Sequence, residues 1–320
     1  MEFKFDKIDK KLISYLYHHY REPLTKIAKA CRISRDQVEY RLKKYEQQGL
    51  IKKYATIFNY KLLGYDEFIV VWLKLNCTKE QKQTIRNELK KNKNIVTYFD
   101  VLGKYNLGFD GVYKNKEEFE KEFGEFLEKY KTQIKDYQIF TTTTFTFFPL
   151  KEFDLPYQEK EFVLGDLKTK PKIDERDLKI LKALEKNGRA KIIDIATQAN
   201  ISGELALYKL KQLYKNKIIL GTRIIFNMEK MSYFFANIKL KINPNEKTKK
   251  EIFKYCKQHK YINALSFGIG EYNCLVQFFF KQENQFRNSL KDILQKFNNE
   301  IHESEIILIE NEGEVKTLVL

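Results

Sequence analysis

Hydrophobic positions between residues 9 and 48 recur at intervals of three and four, which predicts a run of short α-helices. The first predicted helix spans residues 9–21. Its buried positions are Ile13, Leu16, Tyr17 and Tyr20. A second helix is predicted after Pro23, because proline is tolerated at the start of a helix but not in its interior.

The third predicted helix begins after Ser34 and ends near Gln48. Ser34 and Gln37 have the spacing of a capping box, in which each side chain accepts a hydrogen bond from the backbone of the other residue. Gly49 is a typical C-terminal stop, and the segment LIKKYATIF after it has the composition of a strand. Three short helices with a tight connection before the third predict a winged helix-turn-helix.

From residue 67 to 147, strand-like and helix-like segments alternate. Runs such as FIVVWLKLN predict strands, whereas TKEQKQTIRNELKKN and KEEFEKEFGEFLEKY predict amphipathic helices. The order β-α-β-β-α-β is typical of an antiparallel sheet with two helices on one face, a ferredoxin-like sandwich. The other sheet face also needs cover, and the matching sheet of a second copy is the simplest candidate.

Nearly the whole pattern occurs twice. Residues 5–59 align without a gap with residues 173–227 at an offset of 168, and GKYN from Gly103 matches GEYN from Gly270 at an offset of 167. We therefore predict an α+β protein that folds as an internal pseudo-dimer. Its predicted parts are a helix-turn-helix domain at 1–61, a ferredoxin-like domain at 62–150, a linker at 151–170, a second helix-turn-helix domain at 171–228 and a second ferredoxin-like domain at 229–320. Residues 1–150 are called the first copy below, and residues 171–320 the second copy.

Charge is concentrated in the two helix-turn-helix parts. The chain carries a net charge of +16 and has a pI near 9.3. Residues 1–61 contribute +8 and residues 171–228 contribute +6 of that total. A basic composition spread evenly along the chain would not produce this contrast, so these parts are predicted to face a polyanion.

Enzyme and metal motifs are absent from the sequence. The four cysteines are far apart, and the motifs HExxH, GxSxG and the phosphate-binding loop do not occur. We therefore expect a protein that is not an enzyme and needs no cofactor or metal. The start of the chain lacks a secretory signal and the apolar runs have the length of strands, so we expect a cytoplasmic protein with reduced thiols.

The third helix of the first copy is the predicted DNA-reading helix. In a helix-turn-helix its N-terminal residues reach base edges in the major groove, and Arg35 and Gln37 have side chains that read guanine and adenine. Tyr40 is a further candidate, and nearby lysines and arginines suit phosphates. The predicted DNA-binding residues are Arg35, Asp36, Gln37, Tyr40, Arg41, Lys43, Lys44, Lys52, Lys53, Lys209 and Lys211.

The second copy has a poorer reading face. Gly203, Glu204 and Leu205 occupy the positions of Arg35, Asp36 and Gln37 in the alignment. Lys209 and Lys211 retain a basic character that suits phosphates. We expect this head to add nonspecific affinity or to pack against protein, and the preferred DNA to contain two unlike half-sites about one helical turn, or a multiple of it, apart.

The ordered set of elements resembles the Lrp/AsnC (feast/famine) transcriptional regulators, twice in tandem. The resemblance implies binding of double-stranded DNA and pairing through the βαββαβ domains, and it allows a further homo-oligomer. It also implies an amino acid or other small-molecule effector at the interface between those domains, near the Gly-x-Tyr-Asp turn, and no membrane partner. The matching positions are Gly103, Tyr105, Asn106, Gly270, Tyr272 and Asn273. Asn stands where the family usually has Asp, which removes a charge that could pair with an ammonium group.

Two alternatives stay open. The first is a winged-helix protein that binds other proteins and not DNA. The second follows from the resemblance, because some related proteins are haem-pathway decarboxylases that use His and Arg at a porphyrin pocket. The predicted ferredoxin-like domains hold four such residues, namely Arg86, His259, Arg287 and His302, without a recognisable cluster.

Overall fold

The computed structural model describes residues 3–151, 162–164 and 171–319. The chain forms two compact units. The head unit comprises residues 1–59, 148–162 and 168–233, and the sandwich unit comprises residues 60–147, 163–167 and 234–320. Each unit thus draws on both copies. The five-part division predicted above stays a prediction, and residues 152–161 and 165–170 of the predicted linker lie outside the described residues.

The elements follow the predicted order in both copies. The first copy contains α1 (Lys7–His19), α2 (Leu24–Cys31), α3 (Arg35–Gln47), β1 (Ile51–Phe58), β2 (Glu67–Leu75), α4 (Lys79–Lys91), β3 (Ile95–Leu102), β4 (Leu107–Tyr113), α5 (Lys116–Lys129) and β5 (Ile134–Phe147). A short strand, β6 (Phe162–Leu164), follows. The second copy contains α6 (Glu175–Lys186), α7 (Ile192–Ala199), α8 (Gly203–Lys215), β7 (Ile219–Phe226), β8 (Phe234–Ile242), α9 (Glu246–Gln258), β9 (Ile262–Gly270), β10 (Cys274–Phe280), α10 (Glu283–Lys296) and β11 (Ile301–Glu312).

Side-chain caps set the helix starts in the head unit. The predicted capping box of α3 is confirmed, with Ser34 accepting from the backbone N–H of Gln37 and Gln37 accepting from that of Ser34. Helix α1 starts two residues earlier than predicted, because Asp6 caps it and accepts from the backbone of Asp9. The four predicted core positions of α1 are buried. Gly49 ends the α3 segment with a positive φ of 63°.

The two helix-turn-helix domains are joined through their wings. Strands β1 and β7 pair antiparallel, with Ala55 opposite Arg223 and Thr56 opposite Thr222. His18 adds a reciprocal contact, because its Nδ1 lies 3.0 Å from the Thr222 carbonyl oxygen and its own carbonyl accepts from the Thr222 hydroxyl. The heads of the two copies therefore belong to one packed body.

The two βαββαβ domains form one continuous sheet. Its strand order is β2-β4-β3-β11-β8-β10-β9-β5-β6, and β2 also pairs with β5. The eight long strands therefore close into a ring in which β3–β11 and β5–β9 join the copies edge to edge. Closure gives each of these strands a paired neighbour on both sides over at least part of its length, which limits the open edge available for aggregation.

Strand β2 shows how the sheet is covered on both faces. Ile69, Val71 and Leu73 pack with residues of α4 and α5 in one apolar cluster. Val70 and Trp72 alternate with them and pack on the opposite face with residues of both copies, including Leu275 and Ile307. The sister sheet therefore provides the second cover, as predicted from the sequence, and this explains why β2 is apolar at nearly every position.

Candidate nucleic-acid interface

Helix α3 separates its apolar and polar residues cleanly. Val38, Leu42 and Tyr45 are buried inside the head unit. On the other side, Tyr40 is 68% exposed, and the side chains of Arg35 and Lys43 are 58% and 66% exposed. The helix thus presents a guanidinium, an ammonium and a phenol to solvent, a set that suits contacts to bases and phosphates.

The ion pairs on this outer face are exposed and weak. Arg35 lies 3.7 Å from a Glu39 carboxylate oxygen and 4.0 Å from one of Asp36, and Lys43 lies 3.2 Å from Glu39. Pairs of this kind contribute about 0–1 kcal/mol in water. They leave Arg35 and Lys43 able to exchange a carboxylate for a phosphate or a base edge.

Arg41 differs, because its guanidinium is directed inward. It bonds Asp6 at 2.8 Å and also pairs with Asp9, whose carboxylate accepts from the Tyr45 hydroxyl at 2.6 Å. Asp9 is buried, so this cluster ties α3 to α1. The predicted phosphate contact of Arg41 therefore competes with an intramolecular role.

The second copy repeats this cluster with a lysine. Lys209 lies 2.7 Å from Asp174 and 3.0 Å from Asp177, the two aspartates at the start of α6. The hydrogen bond from Lys209 lowers the pKa of Asp174 to about 2. Lys209, like Arg41, thus has partners within the protein.

The other predicted residues of the first head have varied surroundings. The Gln37 amide oxygen is used in the capping box, and the Lys44 ammonium lies 5.2 Å from the centre of the Phe3 ring. Lys53 forms an ion pair with Glu185 of the second copy. Asp36 and Lys52 are exposed.

The outer face of α8 is more apolar. Leu207 and Tyr208 are exposed on it. Of the two lysines predicted on α8, Lys211 is exposed and Lys209 is partly buried. Ile193 on α7 is 70% exposed, and no feature of the sequence analysis singled it out. A shallow cavity of about 320 Å³ lies beside it. Its lining residues are Ile193, Ala196, Thr197, Asn200, Ile201 and Gly203.

The predicted effector turns are tied to neighbouring strands. Asn106 accepts from the Leu75 backbone N–H at 2.9 Å and donates to the Leu75 carbonyl at 2.8 Å. Asn273 makes the same two bonds to Ile242, both at 2.8 Å. An aspartate could accept but not donate, so the departure from the family pattern has a structural reason.

The glycines of these turns are required by their backbone. Gly103 has a φ of 136° and Gly270 a φ of 157°. A Cβ at Gly270 would lie 2.7 Å from the Ile139 carbonyl oxygen, which is closer than packed atoms allow. Both positions therefore favour glycine for conformational reasons.

A lysine fills the space between the two sheets where the turn tyrosines meet. Lys239 has an exposure of 0%, and its Nζ lies 4.8 Å from the Tyr272 ring centre and 5.0 Å from those of Tyr105 and Trp72. It forms an ion pair of 2.7 Å with Glu305 and donates to Gln138. Burial lowers the pKa of Lys239, and the hydrogen bond to Glu305 opposes that shift. The sequence analysis missed this cluster, because its parts come from distant strands.

The His and Arg residues of the sandwich unit lie on different elements and have partners of their own. Arg86 on α4 bonds both Asp100 carboxylate oxygens at 2.6 Å. His302 on β11 lies 2.9 Å from Asn243, and Arg287 on α10 pairs with Glu283. The ring of His259, after α9, contacts Tyr255.

The described part of the chain contains neither a cluster of metal ligands nor a membrane-spanning helix. Within residues 3–151, 162–164 and 171–319, no three or more His, Cys, Asp or Glu side chains are grouped as metal ligands would be. None of the helices described there is both long and apolar enough to cross a bilayer.

Comparisons with known proteins agree with the duplication. A family model described as winged helix-turn-helix DNA-binding matches residues 5–52 and again residues 173–219. The HTH-type transcriptional regulator FL11 of Pyrococcus horikoshii is 29% identical over 118 residues, covering 37% of this chain and 77% of the relative. An uncharacterised HTH-type transcriptional regulator of Pyrococcus abyssi is 28% identical over 36% of this chain and 78% of that protein. Each relative thus corresponds to less than half of the chain.

One solved structure resembles nearly the whole chain. The siroheme decarboxylase NirDL matches 97% of this chain and 94% of its own with a TM-score of 0.63 and 16% identity. At that identity the likeness establishes the fold alone. It shows that a known fold extends over nearly the whole length of this chain.

Proposed function

We propose that this protein, a tandem duplication of the Lrp/AsnC type, regulates transcription by binding double-stranded DNA through its head unit. The main support for DNA binding is the outer face of α3. Arg35, Tyr40 and Lys43 are exposed there, while the apolar side of the helix is buried. The concentration of charge in both heads supports the same proposal. Because the curated relatives are named as transcriptional regulators, the proposed role is regulatory and not enzymatic, and the proposed location is the cytoplasm.

We propose that the predicted residues serve three purposes: reading bases, neutralising phosphates and stabilising the heads. Arg35 and Tyr40, near the start of α3, read base edges, with Gln37 and Asp36 beside them. Lys43, Lys44, Lys52 and Lys211 neutralise phosphates, which gives affinity without sequence information. Arg41, Lys53 and Lys209 hold the heads in shape through their ion pairs. The two heads then favour unlike half-sites, because their reading helices differ.

A salt titration with labelled duplex DNA tests the proposal. Fluorescence anisotropy with a pool of random duplexes should show binding at 50 mM salt and a loss of about 100-fold in affinity at 200 mM, since phosphate contacts release counterions. Fragments enriched from that pool should then share a motif. Absence of binding at 50 mM salt by folded protein would reject DNA binding and favour a protein-binding role for the heads.

We infer that the predicted effector turns act structurally in this chain. Both asparagine amides bond to the neighbouring strand, and the two tyrosines surround the ammonium of Lys239. An amino acid would have to displace that internal cation to reach the tyrosines. Calorimetric titration with each of the twenty amino acids should release no binding heat, and a saturable heat from any of them would restore the effector role of the turns.

The fold likeness to NirDL makes a decarboxylase the second candidate function. Its weakness is the separate placement of Arg86, His259, Arg287 and His302, each engaged with its own neighbours. An absorbance titration with an iron porphyrin compares the two candidates directly. The regulator proposal expects no saturable shift of the Soret band, whereas a stoichiometric shift would favour tetrapyrrole chemistry.

A further inference from the structure

The cluster around Lys239 lies on the pseudo-twofold axis that relates the two βαββαβ domains. At the offset of 167, four pairs of equivalent positions meet in it. These pairs are Trp72 and Lys239, Lys104 and Glu271, Tyr105 and Tyr272, and Gln138 and Glu305. The first pair faces itself across the axis, with Nζ 5.0 Å from the indole centre. Equivalent positions in direct contact are the residues that a symmetric dimer would make identical.

Three of the four pairs have changed in complementary directions. The first-copy face brings Trp72, Gln138 and one cation, Lys104, whereas the second-copy face brings one lysine and two glutamates. Pairing the unlike faces gives zero net charge at these positions. Two second-copy faces would place two lysines together at the fully buried position of Lys239, where like charges are costly, and two first-copy faces would place two indoles there without a cation.

The contacts use this complementarity across the copies. Lys239 of the second copy donates to Gln138 of the first and lies over the first-copy rings of Trp72 and Tyr105. Gln138 in turn donates to Glu271 of the second copy. The buried ammonium is therefore satisfied by groups that only the unlike pairing supplies together with Glu305.

We propose that Trp72 and Lys239 are the specificity determinants that commit the two inner sheet faces of this chain to each other and exclude pairing of like faces. The protein then closes its own ring within one chain. Two first-copy faces, or two second-copy faces, of separate chains do not pair, because each such pair brings two identical residues to the axis.

The head unit contains a second pair of the same kind. Ala55 and Arg223 are equivalent at the offset of 168 and stand opposite each other in the β1–β7 ladder. Ala55 is buried, and the Arg223 guanidinium lies 5.3 Å from the Tyr17 ring centre. Two arginines would collide there and two alanines would leave space, so an uncharged residue again faces a cationic one on the axis. This pair is a second case, independent of Lys239, in which equivalent positions on the axis hold different and complementary residues.

A mutant cycle in the full chain tests the proposal, because each single variant creates a like pair. Trp72→Lys places two lysines on the axis, and Lys239→Trp places two indoles there and removes the cation from Glu305. Each should lower the thermal unfolding midpoint of the sandwich unit by about 10 °C. The double variant Trp72→Lys with Lys239→Trp restores an unlike pair and should recover more than half of the summed loss.

Lys241→Met is the matched control, because this lysine lies two residues further along β8 and is half exposed. Its midpoint should stay within about 2 °C of the original. Additive losses in the double variant, or single variants as stable as the original chain, would overturn the proposal. If a single variant is recovered only as aggregate, the cycle is run with Lys239→Met and Trp72→Phe, and a non-additive loss is again expected.

Exchange between chains provides a second measurement. Chains carrying two different tags are co-expressed, and the tagged fraction is analysed for the other chain. With the original sequence, the purified tagged chain should contain none of the chain with the other tag. Co-expression of Trp72→Lys with Lys239→Trp should yield mixed dimers, since unlike pairs then form only between chains. Mixed dimers that form no more readily with the two variants than with the original chain would contradict the proposal.

Discussion

The two helix-turn-helix domains share an interior and differ in their surfaces. Both use an aspartate pair at the first helix, bonded by Arg41 in one and Lys209 in the other. Both start the third helix with a serine cap. Outside, however, α3 exposes Arg35 where α8 has Gly203. The comparison shows that inward residues specify the fold of each head, while its outward residues specify what the head can bind.

The largest expected effect concerns the buried ion pairs that hold the helices together. Arg41→Ala leaves the buried Asp9 carboxylate without its cation and should reduce the free energy of unfolding by about 3 kcal/mol. Lys209→Ala should cost less, about 2 kcal/mol, because Asp177 is less deeply buried. Chemical denaturation measures both. The exposed pair of Lys26 and Glu22 provides the control, and Lys26→Ala should change stability by less than about 0.5 kcal/mol. Equal costs for Lys26 and Arg41 would refute the structural role of Arg41.

The pH dependence of stability should differ between the two heads. Burial lowers the pKa of His18 to about 3, with the charges of Arg223 and His19 adding to the shift and the bond to Thr222 opposing it. The unfolded state binds a proton near pH 6.5 and the folded state does not, so stability falls as pH decreases below that value. Between pH 7 and 5 the loss should be about 2 kcal/mol.

The equivalent position in the second head provides the contrast. It is Lys186, which is exposed and has no imidazole. His18→Gln should therefore remove most of the pH dependence measured by denaturation between pH 7 and 5. An unchanged slope in that variant would show that other groups cause it.

DNA affinity should respond unequally to changes on the two reading helices. Arg35→Ala should weaken binding to the preferred site about tenfold and relax the preference at one position, as expected for loss of a base contact. Lys211→Ala should weaken binding to all sequences about threefold, without changing the motif. Anisotropy on the selected site and on a scrambled duplex measures both. A uniform loss for Arg35→Ala would reduce it to a phosphate contact.

The smallest expected effect concerns the helix caps. Ser34→Ala removes a reciprocal capping box and should cost about 1 kcal/mol of stability. Ser202→Ala removes a single bond to the Leu205 backbone, since leucine cannot return one, and should cost about 0.5 kcal/mol. Denaturation midpoints compare them, and a larger loss at Ser202 would contradict the difference between the caps.

Local patterns predicted most of the fold. The capping box at Ser34, the stop at Gly49 and the strand at FIVVWLKLN follow from patterns within one segment, and the structure confirms all three. The repeat then predicted that the sheets of the two copies cover each other. The local features depend on residues that are close in the sequence, so they can be predicted from one sequence without an alignment.

Contacts between distant segments were less predictable. The pairing of β1 with β7 and the closure of the sheet into a ring depend on edges that have no local signature. Arg41 and Lys53 were predicted to bind DNA, because their ion-pair partners Asp9 and Glu185 are remote in the chain and could not be identified from the sequence. Lys239 has the appearance of a solvent-facing strand residue until the second sheet is placed over it.

Selection of DNA by three forms of the chain can show whether the first head reads sequence while the second head only adds affinity. Fragments are selected from a random duplex pool with the original chain, with Arg35→Ala/Lys43→Ala and with Lys211→Ala/Lys215→Ala, which changes two exposed lysines of α8. The account predicts that the first double variant loses the enriched motif, whereas the second keeps the motif and binds more weakly. The claim is contradicted if the two variants lose the motif equally, or if the original chain enriches none.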